Sequence, residues 1–254
     1  MSTTVAFLGE FGDAIEYIFQ SRESQAGGAQ VGGGENWRLI GEHLKVTGAA
    51  MGLAIAVALP LGLWLGHTGR GAFLTISVSN VGRAVPSVAL IALFVAFFPR
   101  TSAFVNVTLA LALLAIPPIL TNAYVGVRQV SRDAVDAARG MGMSGAQVVR
   151  SVELPLALPL VFGGIKTSTV NVIATATIAP LVGVLTLGDP IISGTVHGRA
   201  GQIGASIMVA GLAVAAELGL SAVQRAVTPT GVKLERGALA PRTGPLKRRI
   251  QTVP

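Results

Sequence analysis

The chain has 254 residues, of which 51% are hydrophobic and only 12% are charged, whereas an ordinary soluble domain carries about 25% charged residues. This composition, spread over long apolar runs, argues against a soluble enzyme and indicates a membrane protein. The sequence contains no Cys, which excludes disulfides and thiolate chemistry. Because the chain is so apolar, its net charge of +7 is interpreted by the position of the charges relative to a membrane, and no nucleic-acid partner is expected.

The first 36 residues are predicted to form an amphipathic segment followed by a linker. Leu8, Phe11, Ile15 and Ile18 recur at helical spacing, but the acidic residues between them exclude a helix that crosses a bilayer. No basic stretch precedes them, so no secretory signal peptide is predicted. Residues 21–36 are rich in Gly, Ser and Gln, which is typical of a linker.

Five apolar segments of about 20 residues or slightly more predict an all-α membrane protein with five transmembrane helices. They cover residues 46–66, 72–98, 104–127, 156–178 and 204–224. Pro86 is expected to interrupt the second segment, and Pro117 with Pro118 the third, which exposes backbone groups to a cavity or to covering protein. We expect a transmembrane domain over residues 37–226 and a flexible, basic, cytoplasmic tail over residues 227–254.

The Lys and Arg residues outside these segments favour one orientation. If the loop between the third and fourth segments is cytoplasmic, twelve Lys and Arg lie inside and five lie outside, as the positive-inside rule expects. The C-terminal tail supplies the excess, because without it the count is five against five. The sequence therefore predicts an external N-terminus and an internal C-terminus.

A polar loop, residues 131–155, separates the third and fourth segments. Ser131 and Ser144 are candidate N-caps, and Gln147 follows Ser144 at the spacing of a capping box. Gly142 lies between the two caps and favours a bend. The loop is therefore predicted to be two short helices joined at a glycine bend and held at the membrane surface.

Polar groups at membrane depth are the candidates for a translocation path. The path residues that we predict are Arg83, Pro86, Ser87, Asn122, Lys166, Thr169, Asn171 and Thr175. The alternative for the hydroxyl groups is hydrogen bonding between helices or to their own helix. The alternatives for Lys166 are a side chain that reaches the interface or an ion pair with Asp189 or Glu217.

Motifs for catalysis and metal binding are lacking. The nearest approach to a P-loop, LVFGGIKTS, has Ile165 where the motif requires Gly, and it lies inside a predicted transmembrane segment. His43, His67 and His197 are scattered without metal-ligand spacing, so structural or surface roles are expected for them and no metal site is predicted. We therefore expect a protein that is not an enzyme.

The spacing within the loop resembles the signature of ABC importer permeases, which reads Glu-Ala-Ala, three residues, Gly, nine residues, Ile, one residue, Leu-Pro. The matching positions here are Asp136, Ala137, Ala138, Gly142, Val152, Leu154 and Pro155, with Asp in place of Glu and Val in place of Ile. Further stretches, among them GRAVPSVALIALF and ELPLALPLVFGGIKTSTV, resemble the osmoprotectant branch of that family, whose solutes include glycine betaine, choline and carnitine.

The resemblance implies a type I importer permease fold in a bacterial cytoplasmic (inner) membrane. It implies three kinds of protein partner: a dimer of ATP-binding subunits, a second permease copy or paralogue, and an extracytoplasmic substrate-binding protein. ATP and Mg²⁺ would be bound by the ATPase, so this chain itself needs no cofactor.

In this family the loop docks on the ATPase, which gives the seven signature positions and Arg139 the role of coupling residues. Asp136 and Arg139 either pair with that partner or interact only locally. The alternative functions are a permease for another small polar solute, such as an amino acid or a phosphonate, and an ion-coupled secondary carrier.

Overall fold

A computed structural model describes residues 2–71, 73, 75, 77 and 85–229. The helices before the polar loop are α1 (Ser2–Phe19), α2 (Gly34–Thr68), α3 (Ser87–Phe97) and α4 (Ala103–Arg128). The loop contains α5 (Arg132–Gly140), α6 (Gly145–Val148) and a π-helical turn (Val149–Glu153). After it come α7 (Leu154–Thr175), a 3₁₀ helix (Ala176–Val182), α8 (Gly188–Ile192) and α9 (Gly194–Val227).

Four of the described helical stretches are long and apolar enough to cross a membrane by length and composition. They are Gly34–Thr68, Ala103–Arg128, Gly145–Val182 and Gly194–Val227. The second predicted segment, residues 72–98, contributes the shorter apolar helix α3, and much of its first half lies outside the described residues. Pro86 stands immediately before α3 as its N-cap, where a missing N–H costs little.

Helix α2 is a long element with one face of small side chains. Its 35 residues span about 52 Å, so it extends at both ends beyond the predicted segment 46–66 and beyond a hydrocarbon core of about 30 Å. Small residues recur at every fourth position of its buried face, namely Ala50, Ala54, Ala58, Gly62 and Gly66. A β-carbon added at Gly62 would lie 2.7 Å from Ala123 Cβ of α4, so the two helices meet almost backbone to backbone.

Helix α4 runs through Pro117 and Pro118 without a break, so the predicted interruption of the third segment is wrong. The physical reason is local cover. The Pro118 carbonyl accepts a hydrogen bond of 2.8 Å from the side-chain amide of Asn122, and Gly164 of α7 packs directly on the same carbonyl. Prolines are tolerated inside transmembrane helices when neighbouring groups satisfy or cover the freed backbone in this way.

The N-terminal segment packs on the last of the described helices, since α1 lies against α9. Residues predicted as a linker contain two short antiparallel strands, β1 (Ser21–Glu23) and β2 (Gln30–Gly32), which their composition did not predict. Polar contacts tie the hairpin to α9, and the start of α2 to the end of α1. Ser24 Oγ donates to the Val196 carbonyl at 3.0 Å, and the Asn36 amide donates to the Tyr17 carbonyl at 2.9 Å.

A buried chain of hydrogen bonds joins α1 to the start of α9. Tyr17 is fully buried and its hydroxyl lies 2.7 Å from Nδ1 of His197, whose Nε2 lies 3.1 Å from Oδ2 of Asp189. Burial raises the pKa of Tyr17 to about 12, so the phenol keeps its proton at neutral pH. With a neutral imidazole, Tyr17 therefore donates to Nδ1 and the Nε2–H donates to the carboxylate. His197 directly precedes the kink of α9 at Gly198.

Replacing Tyr17 with Phe is expected to destabilise the protein by about 1–3 kcal/mol, because a buried acceptor on His197 loses its partner. The measurement is thermal unfolding of the purified protein in lipid. Tyr124→Phe is the matched control, since the Tyr124 hydroxyl forms no hydrogen bond with a described residue. Equal midpoints for the two variants would contradict the prediction.

Candidate functional site

The polar loop folds as a bent helical segment at one end of the bundle, and we call residues 131–153 the coupling segment. Gly142 has φ 84, a left-handed conformation that favours glycine, and it lies between α5 and α6. The capping box of α6 is complete: the Ser144 N–H donates to Gln147 Oε1 at 2.7 Å, and the Gln147 N–H donates to Ser144 Oγ at 3.4 Å. The predicted bend and second cap are confirmed.

Two details of the predicted segment are wrong. Ser131 makes no side-chain capping bond, although its carbonyl accepts from the Val135 N–H at 3.3 Å and so begins α5. The second short helix is also not a separate element, because α6 continues through the π-helical turn into α7. The fourth transmembrane helix and half of the coupling segment are therefore one continuous rod.

The signature residues divide into an exposed and a packed set. Asp136, Ala137 and Arg139 are exposed on α5, and neither Asp136 nor Arg139 forms an ion pair with a described residue. Ala138 is buried, whereas Val152, Leu154 and Pro155 are partly buried where the segment enters α7. The bend itself displays Met141, a residue that is 73% exposed. A flexible apolar side chain next to free charges is suited to docking in a partner's groove.

Sequence reasoning missed a bond that joins this segment to α2. His67, in the last turn of α2, places Nδ1 2.8 Å from Oε2 of Glu153, the last residue of the π-helical turn. The Glu153 carboxylate is only 5% exposed. The two residues are 86 positions apart, so no local pattern announces the pair. A signal was nevertheless present, because an acid directly before a Leu-Pro start of a membrane helix requires a partner when it is buried.

A cavity of about 560 Å³ opens between α3, α4 and α7. Its polar lining consists of Ser87, Thr121, Asn122, Thr167, Asn171 and Thr175. The other lining residues are Pro, Leu and Ala, so none of the described residues around it carries a charge or an aromatic ring. Pro117 and Pro118 lie in its wall, beside the amide of Asn122.

The structure brings four of the predicted path residues together in this cavity: Ser87, Asn122, Asn171 and Thr175. Pro86 adjoins it as the N-cap of α3. Thr169 is not among the lining residues, and its hydroxyl donates to the Ile165 carbonyl of its own helix at 2.9 Å. Arg83 lies outside the described residues.

Lys166 faces α9 and is not a lining residue of the cavity. Its Nζ lies 3.2 Å from Ser221 Oγ and 3.5 Å from Glu217 Oε1. Of the two carboxylates that the sequence offered as partners, Glu217 is the one in contact, whereas Asp189 pairs with His197. Within the described residues, no cluster of three His, Asp or Glu side chains is arranged to hold a metal ion.

The match to a known family covers most of the bundle. Residues 58–229 match the family described as "Binding-protein-dependent transport system inner membrane component". The chain is 36% identical to the glycine betaine/carnitine/choline transport system permease protein OpuCB of Bacillus subtilis (strain 168) over 80% of this chain and 94% of that protein. It is 35% identical to the choline transport system permease protein OpuBB of the same organism, with the same coverage.

Solved structures show the same fold. An inward-facing structure of the MetNI methionine ABC transporter aligns with a TM-score of 0.65 at 21% identity, over 76% of this chain and 96% of the matched chain. The predicted type I ABC importer permease fold is therefore confirmed, and the chain is a multi-pass inner-membrane protein. With 35–36% identity to permeases across nearly their whole length, this protein belongs to the family of binding-protein-dependent transport system inner membrane components.

Proposed function

We propose that this chain forms the translocation path for a small osmoprotectant of the glycine betaine, choline or carnitine type and is driven by a separate ATPase. The observation that carries the proposal is the identity of 36% with a glycine betaine/carnitine/choline permease over 94% of that relative. The cavity chemistry supports it. A lining of amides and hydroxyls without charge can solvate a zwitterion or a cation and release it again, whereas a fixed charge would hold one sign of ion.

The arrangement of the helices supports coupling through the segment 131–153. Helix α4 lines the cavity and leads into the coupling segment, and α7 leaves that segment and lines the cavity again. Movement of the segment by a dimer of ATP-binding subunits would therefore reach both walls of the cavity through rigid helices. ATP and Mg²⁺ belong to those subunits in this proposal, and the exposed Asp136, Arg139 and Met141 form the docking surface.

The proposed assembly also contains a second permease copy or paralogue and an extracytoplasmic binding protein. The coupling segment then faces the cytoplasm, which places the C-terminal end of α9 inside and the hairpin of β1 and β2 outside. High-affinity selection of the solute falls to the binding protein, since the described lining of the cavity offers no aromatic cage for a quaternary ammonium group.

The test is ATP hydrolysis by the complete importer in liposomes, with its binding protein, across a panel of solutes. Stimulation by glycine betaine, choline or carnitine is expected, together with uptake of the same solute. Stimulation only by an amino acid or a phosphonate would support the alternative solute class, and uptake that follows an ion gradient without ATP would support a secondary carrier. Either result would overturn the proposal.

Asn171→Leu is expected to lower uptake about tenfold, the loss that corresponds to one hydrogen bond to a charged solute. Asn171 lines the cavity and forms no hydrogen bond with a described residue, so its replacement leaves the fold intact. Initial rates of uptake measure the effect. Thr169→Val, on the same helix but away from the lining, is the control and should transport like the unmodified protein. An Asn171→Leu variant with a normal rate would remove this residue from the path.

A further inference from the structure

His67 lies at a contact between α2 and the coupling segment. On one side of the ring lies a groove of about 320 Å³, lined by Leu63, Trp64, Ala146 and other apolar residues. On the other side lies a polar pocket of about 300 Å³, whose walls include Arg128 and Asp136. The imidazole lies in the walls of both spaces and bridges α2 and the coupling segment.

The ring is bonded to the coupling segment at one place and lies close to it at a second. Nδ1 holds the Glu153 carboxylate at 2.8 Å, and Nε2 faces Gly145, where an added β-carbon would come within 3.2 Å. Gly145 begins α6 and Glu153 ends the π-helical turn. The side chain of His67 is 18% exposed, so this contact is largely shielded from water. His67 therefore lies beside both ends of the stretch of residues 145–153, which leads from the bend into α7.

The other end of the connection is the small-residue face of α2. The C-terminal end of α2, which carries His67, is packed against α4 through Gly62 and Gly66. If a displacement of the coupling segment moves His67, it therefore also acts on the close contact between α2 and α4. Helix α4 in turn lines the cavity.

We infer that His67 is a positioning residue that ties the coupling segment to α2 through Glu153, so that motion of the segment moves α2 together with α7. The inference rests on the proposed coupling function. Without the bond, movement of the segment is transmitted to α7 but not to α2. ATP hydrolysis then proceeds with fewer solute molecules moved per ATP.

The experiment measures solute molecules transported per ATP hydrolysed, with the complete importer in liposomes. His67→Asn keeps an amide N–H near the position of Nδ1, whereas His67→Gln places it near Nε2 and His67→Ala removes it. We expect His67→Asn to retain most of the transport per ATP, and His67→Gln and His67→Ala to lose about tenfold, the loss for a buried hydrogen bond to a charged group. Glu153→Ala should lose a similar factor, and its combination with His67→Ala should cost no more than either change alone.

His197→Asn is the matched control, because it removes the Nε2–H donor and so breaks the bond to the Asp189 carboxylate at the opposite end of the bundle. Its transport per ATP is expected to stay normal even if its thermal midpoint falls. Equal transport per ATP in the His67 variants and the unmodified importer would overturn the inference. So would an equal loss in His197→Asn, or failure of every His67 variant to assemble with the ATPase, since either result assigns the bond to general stability.

These outcomes separate the two proposals. An unmodified importer that shows no solute-stimulated hydrolysis contradicts the proposed function, and with it the role of His67. An unmodified importer that transports, together with His67 variants that transport as many molecules per ATP, contradicts the role of His67 alone.

Discussion

Gly142→Val is expected to lower the number of solute molecules moved per ATP about 5- to 30-fold while hydrolysis continues. The left-handed backbone at Gly142, with φ 84, costs a residue with a β-carbon about 1–2 kcal/mol, which corresponds to that factor in the population of the bent form. Apart from its two chain neighbours, no described residue places an atom within 4 Å of a β-carbon there, so the cost comes from the backbone and not from a clash. The measurement is uptake and hydrolysis by the same proteoliposomes.

Two variants, Gly140→Ala and Gly142→Asn, are the controls for this effect. Gly140→Ala meets equally open space but ends α5 without a positive φ, so it should transport normally. Gly142→Asn should keep much of the coupling, because Asn tolerates the left-handed region better than Val does. If Gly142→Val and Gly142→Asn transport equally well, the bend is not what carries the motion.

Gly164→Ala is expected to destabilise the bundle by about 1–3 kcal/mol and to reduce transport, because α7 has no room to accept the methyl group. The added β-carbon would lie 2.7 Å from the Pro118 carbonyl oxygen and 2.8 Å from Asn122 Cβ. Both neighbours belong to the wall of the cavity. Helix α7 therefore has to move away from α4, which distorts the lining as well as the packing.

The adjacent Gly163 is a matched control for this prediction. A β-carbon there would lie 3.8 Å from Asn122 Oδ1, an ordinary contact, so Gly163→Ala should be neutral or slightly stabilising. Thermal unfolding in lipid compares the two variants, and uptake compares their function. A Gly164→Ala protein as stable as Gly163→Ala would show that the two helices separate more easily than their distance indicates.

The features that the sequence predicts correctly are those that depend on residues close together in the chain. The capping box of Ser144 and Gln147 and the bend at Gly142 follow from side chains a few residues apart, and the structure contains both. The transmembrane helices follow from hydropathy, although α2 extends well past the predicted residues 46–66. That error arises because hydropathy marks the membrane core and is blind to a helix that continues through polar residues into water.

What the sequence did not reveal depends on contacts between distant residues. Continuity of α4 through Pro117 and Pro118 requires the cover given by Gly164, which only packing reveals. His67 is predicted to have a structural or surface role, and the structure adds its partner, a buried carboxylate on the coupling segment. The sequence offers Asp189 and Glu217 as partners of Lys166 and cannot choose between them, and in the structure Lys166 contacts Glu217.

The bond between Tyr17 and His197 has a consequence for biosynthesis. Its two residues are 180 positions apart, so the N-terminal helix leaves the ribosome long before its partner exists. At about 5–20 residues per second, the interval is roughly 10–40 s. During that time α1 lacks the face of α9 against which it packs in the folded protein. Helix α1 can therefore reach its final place only after α9, the last of the described transmembrane helices, has been synthesised.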